Sequence, residues 1–446
     1  MAPITTPLTQ QLGIQHPVLL AGMGMTSTAS LAAAVSNAGG LGVIGGVGYT
    51  ASQLRDMIAD LKSQLRDPSL PFGVDLLLPQ VGGSARKTNY DYTKGSLDEL
   101  VDVIVEGGAK LFVSAVGVPP KRVVERLHRE GVLYMNMVGH PKHVRKACAV
   151  GADIICAQGG EAGGHTGDIP FSVLVPACAD LCGGYRSPLT GGPVALVAAG
   201  GVSDGRSLAA ALMLGAQAVW VGTRFVAARE SGASEFAKRA VVDAGFDDVI
   251  RSVAWTGRPL RAHKTAYVAD WELNRQAEIK ELTTRGIMPI EHELDRLQAE
   301  GKLTDEIMEQ AELRPMGVVA GLVNTPDQTA KEIVDEIVTK ASELLGSAGN
   351  YVNSNGIDDD DGDGDGDGDG DGDGENIRDD VSPACQGASL LFASFRAAQY
   401  QIINKPQAGF FLAHQPMFQR IGLEMMQQGL DLDKEEGESG MSVSLD

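Results

Sequence analysis

The chain has 446 residues, of which 43% are hydrophobic and 21% charged, with a net charge of −21. That is enough apolar material for a packed core, and the lack of a basic stripe excludes nucleic acid as an expected partner. The acidity is concentrated at one end: residues 351–446 hold 20 acidic and 5 basic side chains, so residues 1–350 read as a mildly acidic globular body.

In chain order, eight short runs rich in Val, Ile, Leu and Ala predict strands at 17–21, 41–45, 72–78, 110–115, 132–138, 153–157, 194–199 and 218–222. Most are continuous rather than alternating, the pattern of strands buried on both faces. Between them, 30–38 is Ala-rich, and 51–65, 97–106, 120–130, 141–150 and 204–214 carry apolar residues at helical spacing. Gly39, Gly107, Gly131, Gly151 and Gly215 follow five of these segments, where a left-handed cap favours glycine. Eight strand–helix units of about 25 residues each are the arithmetic of a closed TIM (β/α)8 barrel. After the eighth strand the sequence predicts a helix over 231–244, a helical insertion over about 251–313 lying outside the barrel, and a closing helix over 327–345.

Residues 358–374 are four Asp followed by alternating Gly and Asp. Such a run cannot build a core, because glycine raises the entropy of ordering and the carboxylates repel one another. It imitates the start of a calcium loop. A loop ending at Glu375 would need a ligating Asp at position 364, where glycine stands. The expected organisation is a catalytic body over 1–350, a low-complexity linker over 351–382 and a tail over 383–446, the last two forming a disordered acidic extension. Five scattered cysteines (Cys148, Cys156, Cys178, Cys182, Cys385) fit a reducing compartment rather than a disulfide framework. No secretory leader or membrane-spanning run is read, so a cytoplasmic protein without membrane contact is expected, and no metal site.

The strongest chemical signal is Gln158-Gly159-Gly160-Glu161-Ala162-Gly163-Gly164-His165-Thr166-Gly167, directly after the sixth strand. Five glycines there let the backbone approach a ligand closely, and a barrel builds its active site at the C-terminal ends of its strands. His165, flanked by glycine, is expected to be loosely held, to face open space and to act as a base near its ordinary pKa. Gly200-Gly201 after the seventh strand and Gly222-Thr223 after the eighth supply two adjacent loops, plus a helix N-terminus, for an anion. Ala21-Gly22-Met23 after the first strand would let a flat ring lie against the backbone, although a tight turn explains it equally well. Gly40–Gly45 fits G-x-G-x-x-G, but the glycines run through a predicted strand rather than opening a helix, so a dinucleotide fingerprint is not read. His140 and His143 are read as a capped, solvated helix end.

These motifs, with Phe72-Gly73-Val74-Asp75 and Gly222-Thr223-Arg224-Phe225, resemble in kind and order the nitronate monooxygenase family, formerly the 2-nitropropane dioxygenases, over about residues 10–345. The resemblance implies an FMN-bound barrel that oxidises alkyl nitronates, and possibly neutral nitroalkanes, with O2. It implies that Ala21, Gly22 and Met23 line the flavin, that Asp75, Gln158 and Gly163 adjoin its ring, and that Gly201, Gly222 and Thr223 hold its phosphate. His165 would be the catalytic base. Where the family carries Asn this chain has Asp75, and an ionised carboxylate there would disfavour a reduced anionic flavin. A second reading stays open, because the same loops and His165 serve relatives that use NAD(P)H to reduce flavin and then a quinone or an enoyl thioester. The oligomeric state is not read from the sequence.

Overall fold

The computed structural model describes residues 4–351. The Asp-Gly run and the tail expected beyond it lie outside the described residues, as does Cys385.

Helix α1 (Pro7–Leu12) starts at Thr6, whose side chain accepts a hydrogen bond from the backbone N–H of Thr9. The barrel then follows as β1 (Val18–Leu20), α2 (Ala29–Asn37), β2 (Gly42–Gly45), α3 (Ala51–Gln64), β3 (Phe72–Leu77), α4 (Leu97–Glu106), β4 (Leu111–Ala115), α5 (Lys121–Arg129), β5 (Leu133–Val138), α6 (Val144–Val150) and β6 (Ile154–Gln158). A two-residue strand, β7 (Gly164–His165), interrupts the repeat. It resumes with α7 (Phe171–Cys182), β8 (Ala195–Ala199), α8 (Gly205–Met213), β9 (Ala218–Val221) and the single turn α9 (Thr223–Val226).

Eight parallel strands pair in the order β1-β9-β8-β6-β5-β4-β3-β2. A parallel bridge between Leu19 and Leu41 joins the two ends and closes the cylinder. The continuous apolar runs are explained by two cores. Leu19, Val43, Val113, Met135, Cys156, Val197 and Trp220 fill the barrel, while Leu20, Ile44, Phe112, Tyr134, Ile155 and Val219 face the helices. Each such fully buried side chain contributes roughly 1.5–3 kcal/mol. Leu8 and Leu12 of α1 join the inner core, and Thr6 Oγ1 donates to the carbonyl of Gln217 just before β9. Helix α1 therefore stoppers the N-terminal end, and the open end is the one that carries the glycine loops. The G-x-G-x-x-G run is β2, as its strand reading requires. A Cβ on Gly42 would lie 1.8 Å from the carbonyl oxygen of Ala32, so glycine there lets α2 pack on the sheet.

The predicted helix over 231–244 is the shorter α10 (Glu235–Asp243), started by the Ser234 side chain accepting from Ala237 N. The insertion is not purely helical, which corrects the sequence reading. It opens with an antiparallel hairpin, β10 (Val249–Ser252) and β11 (Leu260–His263), and β11 pairs with β7. Four helices follow: α11 (Ala266–Asn274), α12 (Gln276–Arg285), α13 (Pro289–Ala299) and α14 (Asp305–Ala311). Trp255, Leu260, Val268, Trp271, Ile279 and Ile290 give this segment a small core of its own. Helix α15 (Ala330–Ser347) closes the body with a Thr329–Glu332 capping box and packs on α8 and α2. Among the described residues no helix is long and apolar enough to cross a membrane, no acid–His–Cys cluster could hold a metal, and the four cysteines are free.

Candidate active site

The loop after β6 doubles back on itself. Gln158 Nε2 donates to the carbonyl of His165 at 2.7 Å, and Thr166 Oγ1 donates to the carbonyl of Gly159 at 2.9 Å. His165 is paired across β7 with Leu260, and Gly164 with Arg261. The Arg261 guanidinium donates to the Gly160 carbonyl at 2.9 Å. These contacts overturn the expectation of a loose imidazole. His165 is partly buried, its Nε2 lies 3.1 Å from Thr256 Oγ1, and Nδ1 has no hydrogen-bond partner among the described residues. Burial, helped by the positive charge of Arg258, lowers its pKa from 6.5 to about 4. The ring is therefore neutral near pH 7, with an orientation fixed by a residue of the insertion.

Asp75 lies on the inward-facing row of β3, in register with Gly45 and Val113. Its side chain is buried and Oδ1 has no partner. Burial pushes the pKa up to about 8, so the group is a neutral acid at pH 7. The ionised carboxylate considered from sequence is not the resting form. Gly22 lies directly against it: a Cβ on Gly22 would sit 2.4 Å from Asp75 Oδ2. Met23 continues this wall, with its backbone pressed against Gly45 and its N–H bonded to Ser27 Oγ at 2.7 Å. Cys156, on β6, faces the same interior, and burial raises its thiol pKa well above the usual range.

Gly201 and Gly222 are different in kind. Gly201 has φ +77°, which L side chains avoid, and a Cβ there would meet nothing closer than 3.8 Å. Gly222 has φ −109°, and a Cβ would meet Ala21 Cβ at 3.4 Å and Met23 Sδ at 3.7 Å, both ordinary contacts. The expected helix N-terminus is already taken, however. Asp204 caps α8 by accepting from Arg206 N, and it pairs with the Arg206 guanidinium. Thr223 Oγ1 accepts from Gly317 N at 2.9 Å and keeps its own proton to donate. Gly163 packs against Met316 and Gly317, where a Cβ would lie 2.6 Å from the Met316 carbonyl carbon. The close contact of Gly163 is thus with that segment.

Thr256, Arg258 and Arg261 had no place in the sequence reading. Their signal was the turn Thr256-Gly257-Arg258-Pro259 between two four-residue strands. That turn interlocks with the loop after β3. Arg86 donates to the Gly257 carbonyl at 3.2 Å, and Arg258 Nε donates to Asn89 Oδ1 at 2.9 Å. Gly257, at φ +65°, makes room for the buried Thr88.

A buried acid on β3, a fixed neutral imidazole after β6 and glycine loops after β8 and β9 thus belong to one parallel barrel. Residues 5–340 match the family model described as nitronate monooxygenase. The chain belongs to the nitronate monooxygenase family. It is accordingly an enzyme, a flavin oxidoreductase acting on small molecules. This nitronate monooxygenase-family chain is 35% identical over 274 residues to an octahydro-indene carboxyl-CoA dehydrogenase of Mycobacterium tuberculosis, over 61% of this chain and 70% of the relative. It is similar to the structure of FabK from Thermotoga maritima, with TM-score 0.62 and 30% identity over 78% of this chain and 100% of that one. It is also similar to nitroalkane oxidase from Streptomyces ansochromogenes, with TM-score 0.60 and 26% identity over 77% and 99% of the two chains.

Proposed function

We propose that this enzyme binds FMN across the open end of the barrel and oxidises alkyl nitronates, and neutral nitroalkanes after deprotonation, with O2. The observation that carries the reading is the imidazole of His165, kept neutral by burial and held at Nε2 by Thr256. The residues present fit the cofactor. Close packing does not require glycine at 201 or 222, since a Cβ at either would make only ordinary contacts, and both sit in loops whose amides can take a phosphate. Asp75 Oδ1 is a buried polar atom awaiting a partner.

A bound flavin would supply the electron acceptance and oxygen chemistry that no side chain offers. His165 takes the α proton of a neutral nitroalkane at Nδ1, since Nε2 is engaged. The imidazolium so formed is disfavoured by burial and by Arg258, so it returns its proton readily. A nitronate arrives already deprotonated and needs only orientation. Asp75, protonated, can donate a hydrogen bond at Oδ1 without placing a negative charge beside an electron-rich centre. Gln158 ties the His165 backbone to the end of β6, and the hairpin turn covers it.

The test is anaerobic mixing. Yellow protein should bleach with propane-2-nitronate, and NADH or NADPH should bleach it slowly or leave it unchanged. Protein that takes up no flavin, or that a pyridine nucleotide alone reduces rapidly, overturns the reading. The second outcome would favour NAD(P)H-dependent reduction of a quinone or an enoyl thioester, a reading to which the similarity to a carboxyl-CoA dehydrogenase lends weight.

A further inference from the structure

Most of the buried or half-buried arginines among the described residues are paired with a carboxylate. Arg224 pairs with Glu336, Arg275 with Glu278 and Glu293, Arg314 with Glu312, and Arg251 with Asp168. Arg258 and Arg261 are the exceptions; the carboxylate of Glu161 acts on Arg261, whereas Arg258 faces the like charge of Arg86. Arg258 is partly buried, and among the described residues no carboxylate lies within ion-pair distance of it or of Arg86. Its Nε is spent on the neutral Asn89, and Arg86 spends a donor on the Gly257 carbonyl. The two guanidiniums are near enough to oppose each other's charge, and Arg258 also acts on His165. A guanidinium cannot escape such surroundings by losing its proton, so the uncompensated charge calls for an anion from outside. The backbone fixes where that anion would sit: Thr256, two residues from Arg258, holds His165, and Arg86 grips the turn at Gly257.

We propose that Arg258, assisted by Arg86, binds an oxyanion group of the substrate beside His165. This rests on the reading of His165 as the reacting site. The oxyanion is either part of a small substrate, as a nitronate or carboxylate, or a phosphate of a larger thioester carrier. Forked N–H donors suit both. An anion seated there would also offset the positive charge that weakens His165 as a base, coupling substrate binding to proton abstraction.

The experiment is calorimetric titration of the purified holoenzyme with two probes, propionate and coenzyme A, with flavin content measured separately. Wild-type protein should bind one of them. Arg258→Gln should weaken that binding at least about tenfold, and Arg86→Gln, at an exposed position, by a smaller factor. Arg258→Lys should restore part of the loss. Binding of propionate assigns the site to a small substrate anion, and binding of coenzyme A alone assigns it to a carrier phosphate. Binding of neither probe, or equal binding by wild type and both Gln variants, overturns the proposal. Arg258-dependent binding in protein that holds no flavin would retain the anion site and remove the flavin reading instead.

Discussion

Nε2 of His165 lies 3.1 Å from the hydroxyl of Thr256, 91 residues further along the chain. One belongs to the loop after β6 and the other to the insertion, so the insertion fixes the ring of the proposed base. Thr256→Val keeps the shape and removes the hydrogen bond. We expect turnover of neutral nitroalkanes to fall roughly 10- to 100-fold, the scale of a small misplacement of a reacting group, with KM and flavin content little changed. A change confined to KM would remove Thr256 from the positioning of the base.

As the proposed base, His165 should set the acid limb of the pH profile. With its pKa lowered to about 4, its ring stays unprotonated well below pH 6.5. For a neutral nitroalkane, kcat/KM of the free enzyme should fall only as pH drops through about 4 to 5. His165→Asn should lose about 100-fold or more in that turnover while retaining flavin. Folding follows the same sign. Between pH 6.5 and 4 the native state binds fewer protons than the unfolded chain, so the ring costs stability as pH falls through that window. The variant should lack that loss. An acid limb centred at 6.5 would contradict the buried imidazole.

The barrel was legible because its signals are local and repeated. Runs such as the one forming β8 need apolar residues on both faces, and five of the six predicted barrel helices announce their end with glycine. The candidate base was legible for a similar reason, being set in a glycine-rich loop after a strand. Its state was not. Whether His165 is loose or fixed depends on β11 pairing with β7 and on Thr256, contacts between distant segments that no periodicity records. The insertion was read as helices because its charged stretch is helical, and four residues on each side of Gly257 are too short a pattern to outweigh that. Asp204 hid a different fact: the residue that makes α8 start well also occupies the anion position at its N-terminus.

Asp75 carries the opposite linkage from His165. Its folded pKa is raised from 3.8 to about 8, so the native state holds a proton that the unfolded chain releases between those values. Its contribution is complete below pH 3.8 and is lost as pH rises toward 8. Asp75→Asn has no proton to hold. In flavin-free protein it should therefore gain on wild type as pH rises from 4 to 7, by up to about 1.4 kcal/mol per pH unit. Denaturant midpoints at the two pH values would measure it. An unchanged difference would mean that Asp75 ionises freely in the native state.

The glycines of the open end can be told apart by a single added methyl group. At Gly222 the backbone angle suits any residue, and the new Cβ would meet Ala21 and Met23 only at ordinary contact distance. Gly222→Ala should therefore fold with a near-normal melting temperature, yet place its methyl group in the space assigned to the phosphate. We expect flavin affinity to drop by about tenfold or more, seen as pale protein that yellows only in excess FMN. Gly22→Ala should behave otherwise, because its methyl group would lie 2.4 Å from Asp75 Oδ2 and force that buried carboxyl to move, lowering stability with or without flavin. If Gly222→Ala binds FMN as tightly as wild type while folding normally, the phosphate does not lie at the end of β9, and the orientation of the cofactor proposed here fails with it.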